Sequence, residues 1–194
     1  DDYQMMEMTF RAFISIDLAR VHEVEELIIS LKNAEPSLKV VDPAHIHITL
    51  KFLGETPEQK VGGIIEAMRD AVQGIEPFTV PLKGVGAFPS KNRIRVVWIG
   101  MNDTLPMATM ATRLDESLSA QGFERERRRF APHITVARSR AEMPSPSVRQ
   151  VIENNVHGDF GTIYVDRIRL KKSVLTQCGP QYSTVEEVEL KVTS

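Results

Sequence analysis

His45-Ile46-His47-Ile48-Thr49-Leu50-Lys51-Phe52-Leu53-Gly54-Glu55 and Arg129-Phe130-Ala131-Pro132-His133-Ile134-Thr135-Val136-Ala137-Arg138 carry the same tripeptide, His-Ile-Thr. Successive side chains of a strand point to opposite faces, so each copy aims its His and Thr at one face and its Ile at the other. Random placement of the five His and twelve Thr in this chain would give roughly 0.3 His-x-Thr occurrences. Two are present, each followed by an aliphatic residue and preceded by a proline, Pro43 or Pro132, which marks a repeated chemical device.

Working outward, hydrophobic periodicity predicts a strand over 10–17 and a helix over 21–32 with Val21, Val24, Ile28 and Leu31 on one stripe. The first His-Ile-Thr strand follows over 46–52. Thr56-Pro57 reads as an N-cap and first-turn proline opening a helix striped by Val61, Ile64, Ile65, Met68 and Val72, and a strand over 78–82 closes the half. The second half repeats the order: strand 94–99, helix 105–121, the second His-Ile-Thr strand, a Ser/Pro-rich break over 143–147, a short helix to about residue 155 and a strand from 162. His47 and His133 are 86 positions apart, and the same offset carries the helix starts at Val21 and Pro57 onto Met107 and Met143. Such self-similarity is how a duplicated unit shows in sequence. The expectation is one domain over 9–194 with repeated halves at about 9–85 and 93–173. Further strands at 168–171 and 185–192, with hairpin-like closures, favour α+β with antiparallel sheets. The predicted form is bilobal, two pseudo-twofold-related lobes flanked by helices around a central cleft.

A chain of 194 residues, 42% hydrophobic, can bury a substantial core. It holds no apolar run long enough to span a membrane. Residues 1–8 show neither the basic region nor the apolar stretch of a signal peptide and are expected to be disordered or vector-derived. The single cysteine, Cys178, offers no internal disulfide and no CxxC pair, in keeping with a cytoplasmic protein. A net charge of −2 argues against a protein that coats long nucleic acid. Local basicity differs: Arg125, Arg127, Arg128 and Arg129 crowd the approach to the second motif, Arg138 and Arg140 follow it, and Lys91, Arg93 and Arg95 form a second cluster. A phosphate-bearing end fits this pattern better than a duplex.

With their flanks, the two segments resemble the signatures of the two-histidine (2H) phosphoesterases, and within them the RNA 2′,3′-cyclic phosphodiesterases, also called 2′-5′ RNA ligases. Residues 10–17 resemble that family's opening strand and residues 173–182 its closing segment, so the likeness runs from about Thr9 to Leu190. The resemblance implies the same bilobal fold, metal-independent hydrolysis of RNA 2′,3′-cyclic phosphate ends to 2′-phosphates, and no cofactor. It also implies that His47 protonates the leaving 3′ oxygen while His133 activates water, and that Arg138 holds the phosphate.

The residues themselves suit that chemistry. Opening a cyclic phosphate needs a base for water, an acid for the departing ribose oxygen and donors for the non-bridging oxygens. Imidazole can be acid or base near neutrality, and two on opposite sides of phosphorus can act in line. Which is which stays open from the residues alone. Thr49 and Thr135 lie about 7 Å along the strand from their histidines, a spacing that lets each hydroxyl donate to a phosphate oxygen. Phe52, Phe88, Phe130, Trp98 and Tyr182 are candidates from which one or two would stack on a base. His45 and His47 form a His-x-His pair without a further ligand at metal spacing, so no metal is expected; His22 and His157 read as surface residues. Gly84-Val85-Gly86-Ala87-Phe88-Pro89 lacks the Gly-Lys-Ser/Thr of a phosphate loop, which argues against ATP use. The expected partners are RNA ends or nucleotides bearing a 2′,3′-cyclic phosphate, met by a monomer. The alternatives are a reversible, ATP-independent 2′-5′ RNA ligase and a non-catalytic module that binds RNA ends or nucleotides.

Overall fold

In the computed structural model, which describes residues 7–194, the chain runs β1 (Thr9–Asp17), α1 (His22–Ala34), β2 (Lys39–Val40), β3 (His47–Pro57), α2 (Val61–Ala71), β4 (Phe78–Ser90), β5 (Arg93–Met101), α3 (Leu105–Ser119), β6 (Ile134–Met143), α4 (Pro146–Asn154), β7 (Asp159–Val165), β8 (Arg167–Thr176) and β9 (Gly179–Glu189). The strands make two sheets, β3-β1-β8-β9 and β2-β6-β5-β4-β7. Every pairing is antiparallel. This is the α+β architecture read from the sequence. The lead-in expected to be disordered falls mostly outside the described residues. Among those described, no helix is long and apolar enough to cross a membrane.

The motif explains its own anchoring. Ile48 and Ile134 are 1% and 0% exposed, and each such burial contributes about 2 kcal/mol. Fixing the isoleucines on the core face turns the flanking His and Thr to the opposite one. They join one apolar cluster with Ile14, Ile16, Leu31, Ile64, Met68, Met107 and Leu114, drawn from both sheets and from the helices that cover them.

The two sequence halves are not the two sheets. β2 and β4, from the first half, lie in the sheet of the second motif, whereas β8 and β9 return to the sheet of the first. β2 is decisive for the site. Lys39 pairs with Arg138 and Val40 with Ala137, and the Val41 N–H donates to the Val136 carbonyl at 2.9 Å. A 3₁₀ turn, Pro43–His45, capped by the Asp42 carboxylate on the Ala44 N–H, then delivers the chain to His47 in the other sheet.

Each motif strand also carries an extra residue. Thr49 pairs with Ser15 and Lys51 with Ile14, leaving Leu50 unmatched; Thr135 pairs with Trp98 and Ala137 with Val97, leaving Val136 unmatched. A bulge reverses the alternation beyond it. Phe52 and Arg138, three residues past the threonines, thereby share the threonines' face, where an unbroken strand would turn them away.

Several expectations need correction. Thr56 does not cap α2: it is buried at the end of β3 and its Oγ1 donates to the Gly54 carbonyl. A 3₁₀ turn, Glu58–Lys60, intervenes, and α2 starts at Val61 without a side-chain cap. β4 extends from 78 to 90 through Pro81, Gly84 and Gly86. Gly86 is required there, because a Cβ would fall inside the Trp98 indole that crosses it.

Lys51 sits on the core face at 1% exposure, and its Nζ donates to Asp115 Oδ1 on α3 at 2.9 Å and to the Glu124 carbonyl at 2.6 Å. Burial pushes the Asp115 carboxyl upward, but the Glu126 N–H, Lys51 and Arg125 outweigh it and hold it below the usual aspartate value. Removing one partner of a buried pair leaves the other uncompensated. Lys51→Met is therefore expected to cost about 3 kcal/mol, read from urea unfolding midpoints. A loss well under 1 kcal/mol would show that the pair does not hold the structure together.

Candidate active site

His47 opens β3 and His133 immediately precedes β6, and the two imidazoles are held in the same way. His47 Nδ1 lies 2.9 Å from the His45 carbonyl and His133 Nδ1 lies 2.9 Å from the Ala131 carbonyl. A carbonyl accepts only from N–H, so each ring carries its proton on Nδ1 and turns Nε2 outward. In the neutral form Nε2 is a free base; in the charged form it is a donor. Thr49 and Thr135 are half-buried on the same faces. Unlike Thr56, neither spends its hydroxyl on a protein partner among the described residues.

β3 and β6 touch one another, and the Arg138 guanidinium, from the second motif's strand, is close enough to act on the charge of His47. Of the groups that sequence reading singled out, His47 and Thr49 lie on β3, Thr135 and Arg138 on β6 with His133 just before it, and Arg138 comes near His47. Arg138 is exposed on the shared face.

The surroundings of the two histidines differ. His47 lies against Phe13 at 5.2 Å between ring centroids and against the edge of Tyr182 at 5.5 Å. His133 has Trp98 at 6.4 Å. The cross-strand partner of His47 is Asp17, whose carboxylate accepts from Lys171 Nζ at 2.6 Å and Ser15 Oγ at 2.8 Å and pairs with Arg169 at 3.2 Å. Burial pushes Asp17 up, yet Lys171 and Ser15, with Arg169, bring it below the ordinary value. It stays a carboxylate. Burial likewise drives His47 below the usual imidazole value, with Lys171 and Arg138 adding to the effect and the His45 carbonyl and Asp17 opposing it.

Sequence reading missed Phe13, Ser15, Asp17, Arg169 and Lys171. The clue was the phase of β1 and β8 relative to β3, which single strands do not reveal. Of the aromatic candidates, Tyr182 and Trp98 pack on the histidines, Phe52 and Phe88 are exposed, and Phe130 is partly buried against the core. His45 meets the edge of Tyr182 at 6.0 Å. His22 is paired with Glu26 on the surface, and His157 and Cys178 are exposed.

Comparison with known proteins places these features. The family model described as LigT like Phosphoesterase matches twice, over residues 18–98 and 100–182. An RNA 2′,3′-cyclic phosphodiesterase of Methanothermobacter thermautotrophicus is 34% identical over 186 residues, covering 94% of this chain and 100% of that protein. One of Archaeoglobus fulgidus is 33% identical over 180 residues, covering 92% and 99%. Among solved structures, a Thermus thermophilus protein superimposes with a TM-score of 0.75 at 26% identity, over 93% of this chain and 97% of that one. Escherichia coli LigT complexed with 3′-AMP shares the fold with a TM-score of 0.72 at 23% identity, over 95% and 100%.

The burial of His47 has a consequence for pH. A histidine whose charged form is disfavoured in the fold leaves stability unaffected above the unfolded value near 6.5 and lowers it as pH falls below that value. In nitrogen-15 NMR titrations His47 should titrate below 6.5 with Nδ1 protonated in its neutral form, and His47→Gln should flatten the decline in urea midpoint from pH 7.5 to 5.5. Titration at or above 6.5 would contradict the assigned environment.

Proposed function

The chain belongs to the LigT-like phosphoesterase family, and we propose that it hydrolyses RNA ends carrying a 2′,3′-cyclic phosphate, with His47 and His133 as the acid/base pair. The observation that supports this most is the matched anchoring of the two rings: each Nδ1 is committed to a backbone carbonyl, so each Nε2 is presented for proton transfer. Relatives over nearly the full chain are RNA 2′,3′-cyclic phosphodiesterases.

In the reaction, His133 Nε2 takes a proton from water as the water oxygen bonds to phosphorus. The bond from phosphorus to O3′ breaks opposite the attack, and protonated His47 Nε2 supplies the proton that O3′ needs. The product is a 2′-phosphate with a free 3′-hydroxyl. Thr49 and Thr135 donate to the non-bridging oxygens, and Arg138 neutralises the charge that gathers on them. The acid must be charged at the start, whereas burial disfavours the imidazolium of His47. The anionic phosphate reverses this balance when it binds, so the acid is armed by its substrate. One chain contains every group required, and the reaction needs no second subunit. By microscopic reversibility the same site can accept a 5′-hydroxyl in place of water, which gives 2′-5′ ligation; water at high concentration favours hydrolysis.

Steady-state kinetics on a 2′,3′-cyclic mononucleotide, with products identified by phosphorus NMR, test this reading. His47→Ala and His133→Ala should each lower kcat on the order of 10²-fold to 10⁴-fold, and the double variant should be little worse than the poorer single one. Thr49→Val and Thr135→Val, which keep the β-branched shape, should lose roughly 10-fold to 10³-fold. Activity should persist in excess chelator. Near-full activity in both alanine variants would defeat the mechanism.

A further inference from the structure

The two sheets are built alike except at one edge. In the second, β2 flanks the motif strand β6 and completes five strands; in the first, the motif strand β3 is itself the edge of a four-stranded sheet. The 86-residue offset that relates the histidines carries Lys39 and Val40, the residues of β2, onto Arg125 and Glu126. These do not pair with β3. They stand away from it, and the space between is a groove with residues 52–54 on one wall and residues 124–128 on the other.

The stand-off is built in. Lys51 reaches across to the Glu124 carbonyl and to Asp115, and Asp115 in turn accepts from the Glu126 N–H at 2.9 Å and Arg125 Nε at 3.1 Å. The far wall is thereby pinned by side chains where its counterpart is pinned by a β ladder. Its charges are mixed but not balanced. Arg125 is committed to Asp115, Glu126 lies 3.7 Å from Lys51, and Arg127 makes only an exposed pair with Glu124. Such pairs contribute at most about 1 kcal/mol and yield to a stronger anion. Arg128 and the neighbouring Arg129 are exposed and have no acidic partner among the described residues.

We propose that this groove is the track for the RNA chain leading to the cyclic phosphate, with Arg127 and Arg128 taking backbone phosphates, so that oligonucleotides are preferred over cyclic mononucleotides. The proposal rests on the functional reading above and names its substrate class. Two observations favour RNA, given a substrate whose cyclic phosphate is at its 3′ end and whose remaining chain leaves in one direction. The groove starts at Phe52, which the Leu50 bulge places on the same face as Thr49, three residues away. That is about 10 Å of strand, within the span of one or two nucleotides. Its outer wall also presents guanidinium groups, which suit phosphate better than ammonium does.

The test compares the wild type with Arg127→Gln/Arg128→Gln, two exposed positions whose change spares the core, on adenosine 2′,3′-cyclic phosphate and on a hexanucleotide ending in it. The wild type should favour the hexanucleotide in kcat/KM, with an advantage that shrinks as salt rises. The variant should lose roughly 10-fold on the hexanucleotide, through KM, and keep wild-type kinetics on the mononucleotide. Unchanged hexanucleotide kinetics and salt dependence, as expected if a peptide strand paired with the open edge instead, would overturn the proposal; so would equal losses on both substrates. Were the wild type to hydrolyse neither substrate, the functional reading would fail by itself. Fluorescence anisotropy with a labelled hexanucleotide ending in a 3′-hydroxyl would still decide the groove: about 10-fold weaker binding by the variant upholds it, and equal affinity overturns it.

Discussion

The pairing of Lys39 and Val40 with Arg138 and Ala137 is short, yet the site depends on it. Two sheets that met only through side chains could slide over one another by the width of a methyl group, which is enough to misplace two imidazoles that must act together. A backbone ladder has one register. Because the chain leaves that ladder at Val41 and reaches His47 after a single capped turn, the first histidine is positioned by a strand that belongs to the second histidine's sheet. The bulges at Leu50 and Val136 act at the next level down. They decide which residues beyond each threonine share its face, and in doing so they put an aromatic ring there on one strand and a guanidinium on the other.

Near-symmetry of backbone has been filled with unlike side chains. Where the first lobe has Ser15 across from its threonine, the second has Trp98. Where His47 has the Asp17 carboxylate as its neighbour, bound up with Lys171 and Arg169, His133 has an indole. The rings are oriented identically by main-chain carbonyls, so orientation does not distinguish them. Their surroundings do. Burial beside Phe13 and Tyr182 disfavours the charged form of His47, so its protonation responds to any anion placed next to it.

The sequence showed the two motifs, the antiparallel α+β class and most elements, because apolar alternation and helical stripes are local signals. It concealed features that depend on a partner strand. β2 is only two residues long and has no pattern of its own. β4 runs on past residue 82, where the strand expected from the sequence ended, through Gly84 and Gly86; Gly86 makes room for an indole one strand away. The burial of Lys51 was not legible either, since nothing near it in the sequence announces Asp115, 64 positions later. Arg138 was singled out as a phosphate ligand, although simple alternation from Thr135 sends it to the wrong face; only the register shift opposite Trp98 brings it round.

The open edge of β3 also bears on how copies of this protein meet. An exposed strand edge is a template for another chain, and proteins commonly guard such edges with charge. Here the guard is the arginine-bearing segment held off the edge by Lys51. A second molecule presenting the same edge would bring the same cations towards it and bury them against one another. The fold therefore leaves a polyanion a way in while making edge-to-edge self-association, the first step towards sheet aggregates, electrostatically unfavourable.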